Sequence, residues 1–296
     1  MIRLFPIFFL LFSTTFFLAA QEISFERREN AGAEKKVLLR LKLSREYLFV
    51  IPGAGKPIRK LETMDLVLLT GIKIEKLNQK GLPVSLILTP EIPGGTLNGR
   101  NVDPALLKGR KIRAELEKSP CTFTALDGTP LAKEAIIILS ALFRSQQNIQ
   151  FSEILGASKK YQPGGIWKPN TAPILKVLEE RRVPMKKENI KASARFENKF
   201  KVNGMECVSV VLNLSSIGTH AYDFQLKTRL IFPIRKEDGG FLRLTREGVE
   251  VVDRKTVSGD YAAMGSALRI VTKEQFEATY TLPGKRSSEK KSTVFF

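Results

Sequence analysis

The chain has 296 residues, with 48 Lys and Arg against 30 Asp and Glu, a net charge of +18, and 43% hydrophobic residues. That length supports one large domain or two smaller ones with a real core. Two cysteines and one histidine exclude a standard structural zinc site and a histidine cluster for catalytic zinc.

Residues 1–20 read as a cleavable export signal. Arg3 supplies the positive start, Leu4 to Leu18 is apolar apart from Pro6, Ser13, Thr14 and Thr15, and Ala19-Ala20 places small residues at the cut. The stretch is too short and too broken by hydroxyls for a membrane span, and no second long apolar run appears further along. The expectation is a mature chain starting near Gln21, exported to the periplasm or the extracellular space, with no transmembrane span. Loss of Arg3 leaves 47 bases against 30 acids. So basic a surface attracts polyanions. In an exported protein these are anionic lipid, lipopolysaccharide or wall polymer, and nucleic acid is not an expected partner. The basic pairs, such as Lys35-Lys36, Lys159-Lys160, Arg181-Arg182 and Lys285-Arg286, are dispersed rather than gathered in one groove.

Period-two alternation dominates the mature chain. Val37, Leu39, Leu41 and Leu43 form one apolar face, and Leu82, Val84, Leu86 and Leu88 another. Ile112, Ala114 and Leu116 begin a third. Thr129-Pro130 then opens a helix over 131–144, whose apolar residues lie on most sides and predict burial against a sheet. Residues 158–170, SKKYQPGGIWKPN, are rich in Gly, Pro and Lys and predict a linker. A second helix over 172–182 is stopped by Pro184. Strands resume at Phe196 to Val202 and at Val208 to Leu214. The clearest runs from Tyr222 to Phe232, with Tyr222, Phe224, Leu226, Thr228, Leu230 and Phe232 on one face. A last strand carries Phe276, Ala278, Tyr280 and Leu282. Turn signals at Lys80-Gly81, Asn98-Gly99, Asp127-Gly128, Asn203-Gly204 and Asp238-Gly239 separate these runs.

The predicted fold is mainly β: about ten antiparallel strands, in two lobes or one large curved sheet, with two helices near 131–144 and 172–182. The predicted organisation is a signal peptide at 1–20, a β-rich lobe at 21–157, a linker at 158–170, a second β-rich lobe at 171–283 and a basic tail at 284–296. The segments NQKGLPVSLIL (78–88) and KVNGMECVSVVL (201–212) are alike, each a turn followed by a strand with Val-Ser. This is what a duplication of two β-lobes would leave.

Familiar catalytic motifs are missing. His220, the one histidine, lies in a serine- and glycine-containing turn. Gly53-Ala54-Gly55-Lys56 lacks the spacing and hydroxyl of a phosphate loop. Paired carboxylates for glycoside hydrolysis could come from Glu115/Glu117, Asp127/Glu134 or Glu247/Glu250/Asp253, but alternation with an apolar face marks Glu115 and Glu117 as a solvated edge. Cys121 and Cys207 are a candidate disulfide, which would contribute roughly 4–5 kcal/mol in the chain-entropy model, with two buried thiols as the alternative. The residues expected to form an apolar ligand face or ordinary core are Ile136, Leu139, Phe143, Trp167, Phe224, Leu226 and Leu230. No cofactor is implied.

The punctuation Lys80-Gly81-Leu82-Pro83-Val84, Leu126-Asp127-Gly128-Thr129-Pro130-Leu131, Gly165-Ile166-Trp167 and Gly204-Met205-Glu206-Cys207 resembles that of uncharacterised secreted bacterial β-rich proteins. More distantly, long antiparallel strands with helices laid on them resemble the half-barrels of periplasmic lipoprotein carriers, which implies an acyl-chain site in a sheet concavity plugged by helices. No site residue transfers from either resemblance. The expected function is therefore a non-catalytic envelope protein at anionic surfaces. A carrier of a lipid or other apolar ligand is the alternative, and a carboxylate-based hydrolase the third reading.

Overall fold

The computed structural model describes residues 22–25, 30–49, 57–79, 81–117, 121–144, 151–180, 183, 185–217, 222–235, 242–253 and 267–281. The signal at 1–20, Gly53 to Lys56, His220, Asp238-Gly239 and the tail at 284–296 lie outside the described residues, as do Lys80, Arg181-Arg182 and Pro184.

Twelve strands form one open antiparallel sheet. In chain order its long members are β2 (Glu34–Phe49), β3 (Ile58–Leu77), β4 (Pro83–Leu97), β10 (Ile190–Val202), β11 (Met205–Ser216), β12 (Tyr222–Pro233), β13 (Arg243–Asp253) and β14 (Ala267–Thr281). Short strands β5 (Arg100–Asn101), β6 (Ile112–Glu115), β7 (Thr122–Ala125) and β9 (Ile166–Trp167) complete it. The order across the sheet is β7-β6-β4-β3-β2-β14-β13-β12-β11-β10-β9, with β5 beside β4. Each half is a meander, and the halves meet where β2 pairs with β14. Two further strands, β1 (Glu22–Ser24) and β8 (Ser158–Lys160), pair with each other.

Strand alternation sets the two faces. On the inner face one row of cross-strand neighbours runs Leu68, Leu39, Ala278, Leu244, Leu230, Val210 and Phe196, and every member is buried. Helix α1 (Lys133–Arg144) lies against β2 and β7. At the far side, Phe25 stacks against Phe196 and tilts onto Phe232. Trp167 packs on Phe196 at 4.8 Å between ring centroids and donates its indole N–H to the Leu155 carbonyl at 3.1 Å. The segment expected to be a linker thus supplies two short strands, β8 and β9, and an aromatic that pins it to the sheet.

Hairpin chemistry fixes the turns. Asn203 and Gly204 connect β10 to β11 with φ of 48° and 79°, the left-handed pair that a two-residue turn of this hand requires. Gly95 answers a different need: a Cβ there would sit 1.9 Å from the Asp65 carbonyl oxygen, so only glycine lets β4 lie this close to β3.

Several expectations are corrected. Among the described residues the strands number fourteen, against about ten expected. Helix α1 starts at Lys133, because Thr129 is held in a turn by its backbone N–H and its hydroxyl, both donating to Asp127 Oδ1 at 2.9 and 2.6 Å. Its buried stripe is Ala135, Ile138, Leu139, Leu142 and Phe143, at helical spacing, while Ile136 points to solvent at 41% exposure. Ile136 is therefore neither core nor ligand wall. A short helix, α2 (Phe151–Leu155), has no counterpart among the sequence expectations. The next helix, α3 (Ala172–Glu180), is capped by Asn170, whose side chain accepts from the Ala172 N–H at 3.1 Å. Cys121 and Cys207 are both buried and do not form a disulfide. Cys121 precedes β7 at one end of the sheet and Cys207 lies in β11, eight strand spacings away. Measured along the sheet that is roughly 38 Å at about 4.8 Å per spacing, so the strand order does not bring the two cysteines together as neighbours.

Candidate functional site

Below the fully buried rows, the inner face opens. The row Leu41, Leu66, Phe276 is buried to 3% exposure or less. The next two rows are only half-buried across five adjacent strands. The first contains Met64, Leu43, Glu274, Gly248 and Leu226, with Leu97 beside Met64. The second contains Glu62, Arg45, Thr272, Glu250 and Phe224. Beyond them Ile270, Val252 and Tyr222 are buried again, at 4–6% exposure. The result is a half-buried strip, the trough, flanked by Leu41, Leu66 and Phe276 on one side and by Ile270, Val252 and Tyr222 on the other, where half-buried Tyr47 and exposed Lys60 continue the row. It is about 19 Å across the strands at about 4.8 Å per spacing.

Its floor is apolar at Leu43, Met64, Leu97, Leu226 and Phe224. Gly248 keeps the middle low: a Cβ there would press on Leu226 Cδ1 at 3.1 Å. Charge enters in two sets. Arg246 donates through Nε to Glu274 at 2.9 Å and lies over the Phe276 ring at 5.6 Å. Glu62 accepts from the Tyr47 hydroxyl at 2.9 Å and from Lys60 at 2.9 Å, and Arg45 reaches Tyr47 Oη at 3.3 Å. Burial alone would raise the Glu62 pKa, but the hydrogen bonds from Lys60 and Tyr47 and the Arg45 charge outweigh it and lower it.

The outer face is a lattice of ion pairs: Lys36–Glu91 at 2.7 Å, Lys42–Asp65 at 3.4 Å, Arg59–Glu46 at 3.6 Å, Lys73–Glu34 at 3.7 Å and Arg243–Glu277 at 2.9 Å. A depression of about 600 Å³ lies among several of these pairs, floored by Gly71, Ile87 and Thr89. Two sites on this face share one construction. Glu75 occupies a β-bulge in β3, accepts from Ser85 Oγ of β4 at 2.7 Å, and is gripped by Arg113 of β6 through Nε at 2.8 Å and a second nitrogen at 2.6 Å. Glu197 occupies a β-bulge in β10, accepts from Ser209 Oγ of β11 at 3.0 Å, and is gripped by Arg229 of β12 at 2.9 and 3.2 Å. In both, the arginine lies opposite the residue two beyond the serine: Ile87 faces Arg113, and Val211 faces Arg229. Ser85 and Ser209 are both buried. The Arg113 hydrogen bonds, then that of Ser85, hold the Glu75 carboxyl down at about 2. For Glu197 burial pushes upward, and the bonds from Arg229 and Ser209 bring it below the usual carboxylate range.

Among the expected ligand-face residues, Leu139, Phe143 and Leu230 are fully buried core. Trp167 belongs to the aromatic cluster at the sheet edge, and Phe224 and Leu226 line the trough. The open part of the inner face therefore lies along the strands from α1 rather than beneath it. Glu115 approaches Glu75 through Ser85 Oγ at 3.3 Å, while Glu117 lies past the end of β6. The two serine–glutamate–arginine sites escaped sequence reasoning, although the recurring Val-Ser of the two hairpins marks their serines. Among the described residues no group of three or more His, Cys, Asp and Glu is placed to hold a metal ion, and no helix is long and apolar enough to cross a membrane.

No protein-family model matches the chain, and no curated protein matches it. Among solved structures, it is similar to lipovitellin, in a structure described for its lipid–protein interactions, at 7% identity and a TM-score of 0.33 over 88% of this chain and 26% of that one. The chain thus spans about a quarter of the lipovitellin chain. A loop-deletion mutant of OmpT, an outer membrane protein of Vibrio cholerae, is similar at 7% identity and a TM-score of 0.12, over 85% of this chain and 100% of that one.

Proposed function

We propose that this chain is an exported, non-catalytic binding protein that holds an amphipathic molecule, with its alkyl portion laid across the strands in the inner-face trough. One observation carries the reading: Leu43, Met64, Leu97, Leu226 and Phe224 are half-open apolar residues, interspersed with Glu274, Arg45, Thr272 and Glu250, between the buried Leu41, Leu66 and Phe276 and the buried Ile270, Val252 and Tyr222. Concave, mostly apolar sites with a few convergent polar groups are the usual form of small-molecule sites. Filling the strip would remove apolar surface from water, and full burial of one such side chain contributes about 1.5–3 kcal/mol.

Docking at anionic surfaces draws less support, because Lys36, Lys42, Arg59, Lys73 and Arg243 on the outer face are paired with carboxylates rather than gathered into one free basic patch. A hydrolase reading is weaker still. Glu75 and Glu115, which share the Ser85 hydroxyl, include one carboxylate held ionised by Arg113, which suits neither a general acid nor a base poised near neutrality.

The test is native mass spectrometry of the protein purified from a Gram-negative host, followed by displacement of the fluorophore N-phenyl-1-naphthylamine by alkyl amphiphiles. A lipid-sized mass released on denaturation is expected, or saturable dye binding that persists in high salt and weakens at least fivefold in Leu226→Arg. Dye binding that Leu226→Arg leaves unchanged, or that high salt abolishes, would sink the reading.

A further inference from the structure

Building on the trough as an amphiphile site, we infer that the head group it takes is a cationic ammonium, received by Glu250 against the ring of Phe224. Glu250 sits on the inner face of β13, between the buried Leu244 and Val252 in the alternation, and is itself half-buried. Its cross-strand neighbours are Phe224 on one side and Thr272 on the other. Among the described residues its carboxylate has no hydrogen-bond or ion-pair partner.

The nearby cations are committed elsewhere. Arg246, two inner-face positions along β13, is bonded to Glu274. Arg45, in the same row but beyond Thr272, reaches Tyr47 and acts on Glu62. Lys60 is bonded to Glu62. Glu250 is thus the trough carboxylate that no described side chain meets directly, the surplus cation Arg45 being turned to the Tyr47 hydroxyl two strands away. A half-desolvated carboxylate is costly until a cation meets it. An ammonium at this place gains the carboxylate and the negative face of the Phe224 ring together. Gly248, next along the same face, is overlain by Leu226 Cδ1, and Leu226, Leu43 and Met64 supply the apolar surface for the alkyl chain.

The experiment compares three single-chain probes of equal chain length, dodecyltrimethylammonium, dodecyl maltoside and dodecyl sulfate. Each is used below its micelle concentration, by displacement of N-phenyl-1-naphthylamine from the full mature chain. The expected result is binding of the ammonium about tenfold tighter than the maltoside, with that preference reduced to within about twofold in Glu250→Gln and maltoside affinity unchanged. Phe224→Leu is expected to weaken ammonium binding more than maltoside binding, and so to lose part of the preference. Alkyl chains that bind without head-group preference, or a preference that survives Glu250→Gln, would overturn this inference and leave the amphiphile site standing. Failure of all three probes to displace dye would overturn both.

Discussion

Replacing Ser85 or Ser209 by alanine isolates the paired construction on the outer face. Each serine hydroxyl is buried and donates to a carboxylate already gripped by an arginine, at 2.7 Å for Ser85 and 3.0 Å for Ser209. Hydrogen bonds to charged groups contribute roughly 1.5–3 kcal/mol. Alanine leaves almost no cavity and the arginine still satisfies the carboxylate, so the expected cost is the lower figure, about 1.5 kcal/mol for each variant. The two sites are six strand spacings apart, about 29 Å at about 4.8 Å each, so the double variant should lose the sum, about 3 kcal/mol. In urea unfolding followed by the fluorescence of Trp167 and by circular dichroism, with m of about 3 kcal/mol/M, this is a midpoint shift of about 0.5 M for each single variant and about 1 M for the double. If one serine costs this much and the other less than about 0.3 kcal/mol, the two sites are not energetic equivalents and their common construction is a coincidence of geometry.

Acid unfolding should report the same site from the carboxylate side. Glu75 has its folded pKa depressed to about 2, so its stabilisation is complete above the unfolded carboxyl's ordinary range and drains away as pH falls from there towards 2; Glu75→Gln should flatten that limb, seen as a smaller drop in melting temperature between pH 5 and pH 3 than in the unaltered protein. Phe143→Ala should cost about 3–5 kcal/mol, whereas Ile136→Ala should cost under about 0.5 kcal/mol, and thermal melts giving similar losses would mean that α1 is rotated on the sheet. Iodoacetamide in denaturant without reductant should add two carbamidomethyl groups per chain by mass, at Cys121 and Cys207; a chain that takes up none would place a disulfide where the strand order forbids one.

The long strands were readable because their alternation is set by one dry and one wet face, as Tyr222 to Phe232 shows. The two- and three-residue strands β1, β5, β8 and β9 carry too few residues for any period to register. Which half of an apolar face is covered was not readable. Leu226 and Leu230 look alike in the sequence, yet Leu230 is fully buried and Leu226 is half-open because the packed segments stop between their rows. For α1, composition suggested burial all round, but the 3.6-residue period leaves Ile136 outside the stripe. The candidate disulfide failed on strand order, a property of long-range pairing. Glu75, Ser85 and Arg113 come from three strands and meet only through register, and Glu250 shows its isolation only once its neighbours' partners are known.

The seam between β2 and β14 joins the parts of the sheet most distant along the chain: Lys36 lies opposite Thr281, and Phe49 opposite Ala267. The middle of the finished sheet is thus its last part to be made. Until β14 docks, β2 is a bare edge, and closing this long loop is the step that turns two meanders into one surface. Lys36, Arg40 and Lys42 on the outward side of β2 give that waiting edge the charged character that discourages pairing with a stranger. Leu43 and Gly248 lie on opposite sides of the seam, so neither meander alone carries the trough.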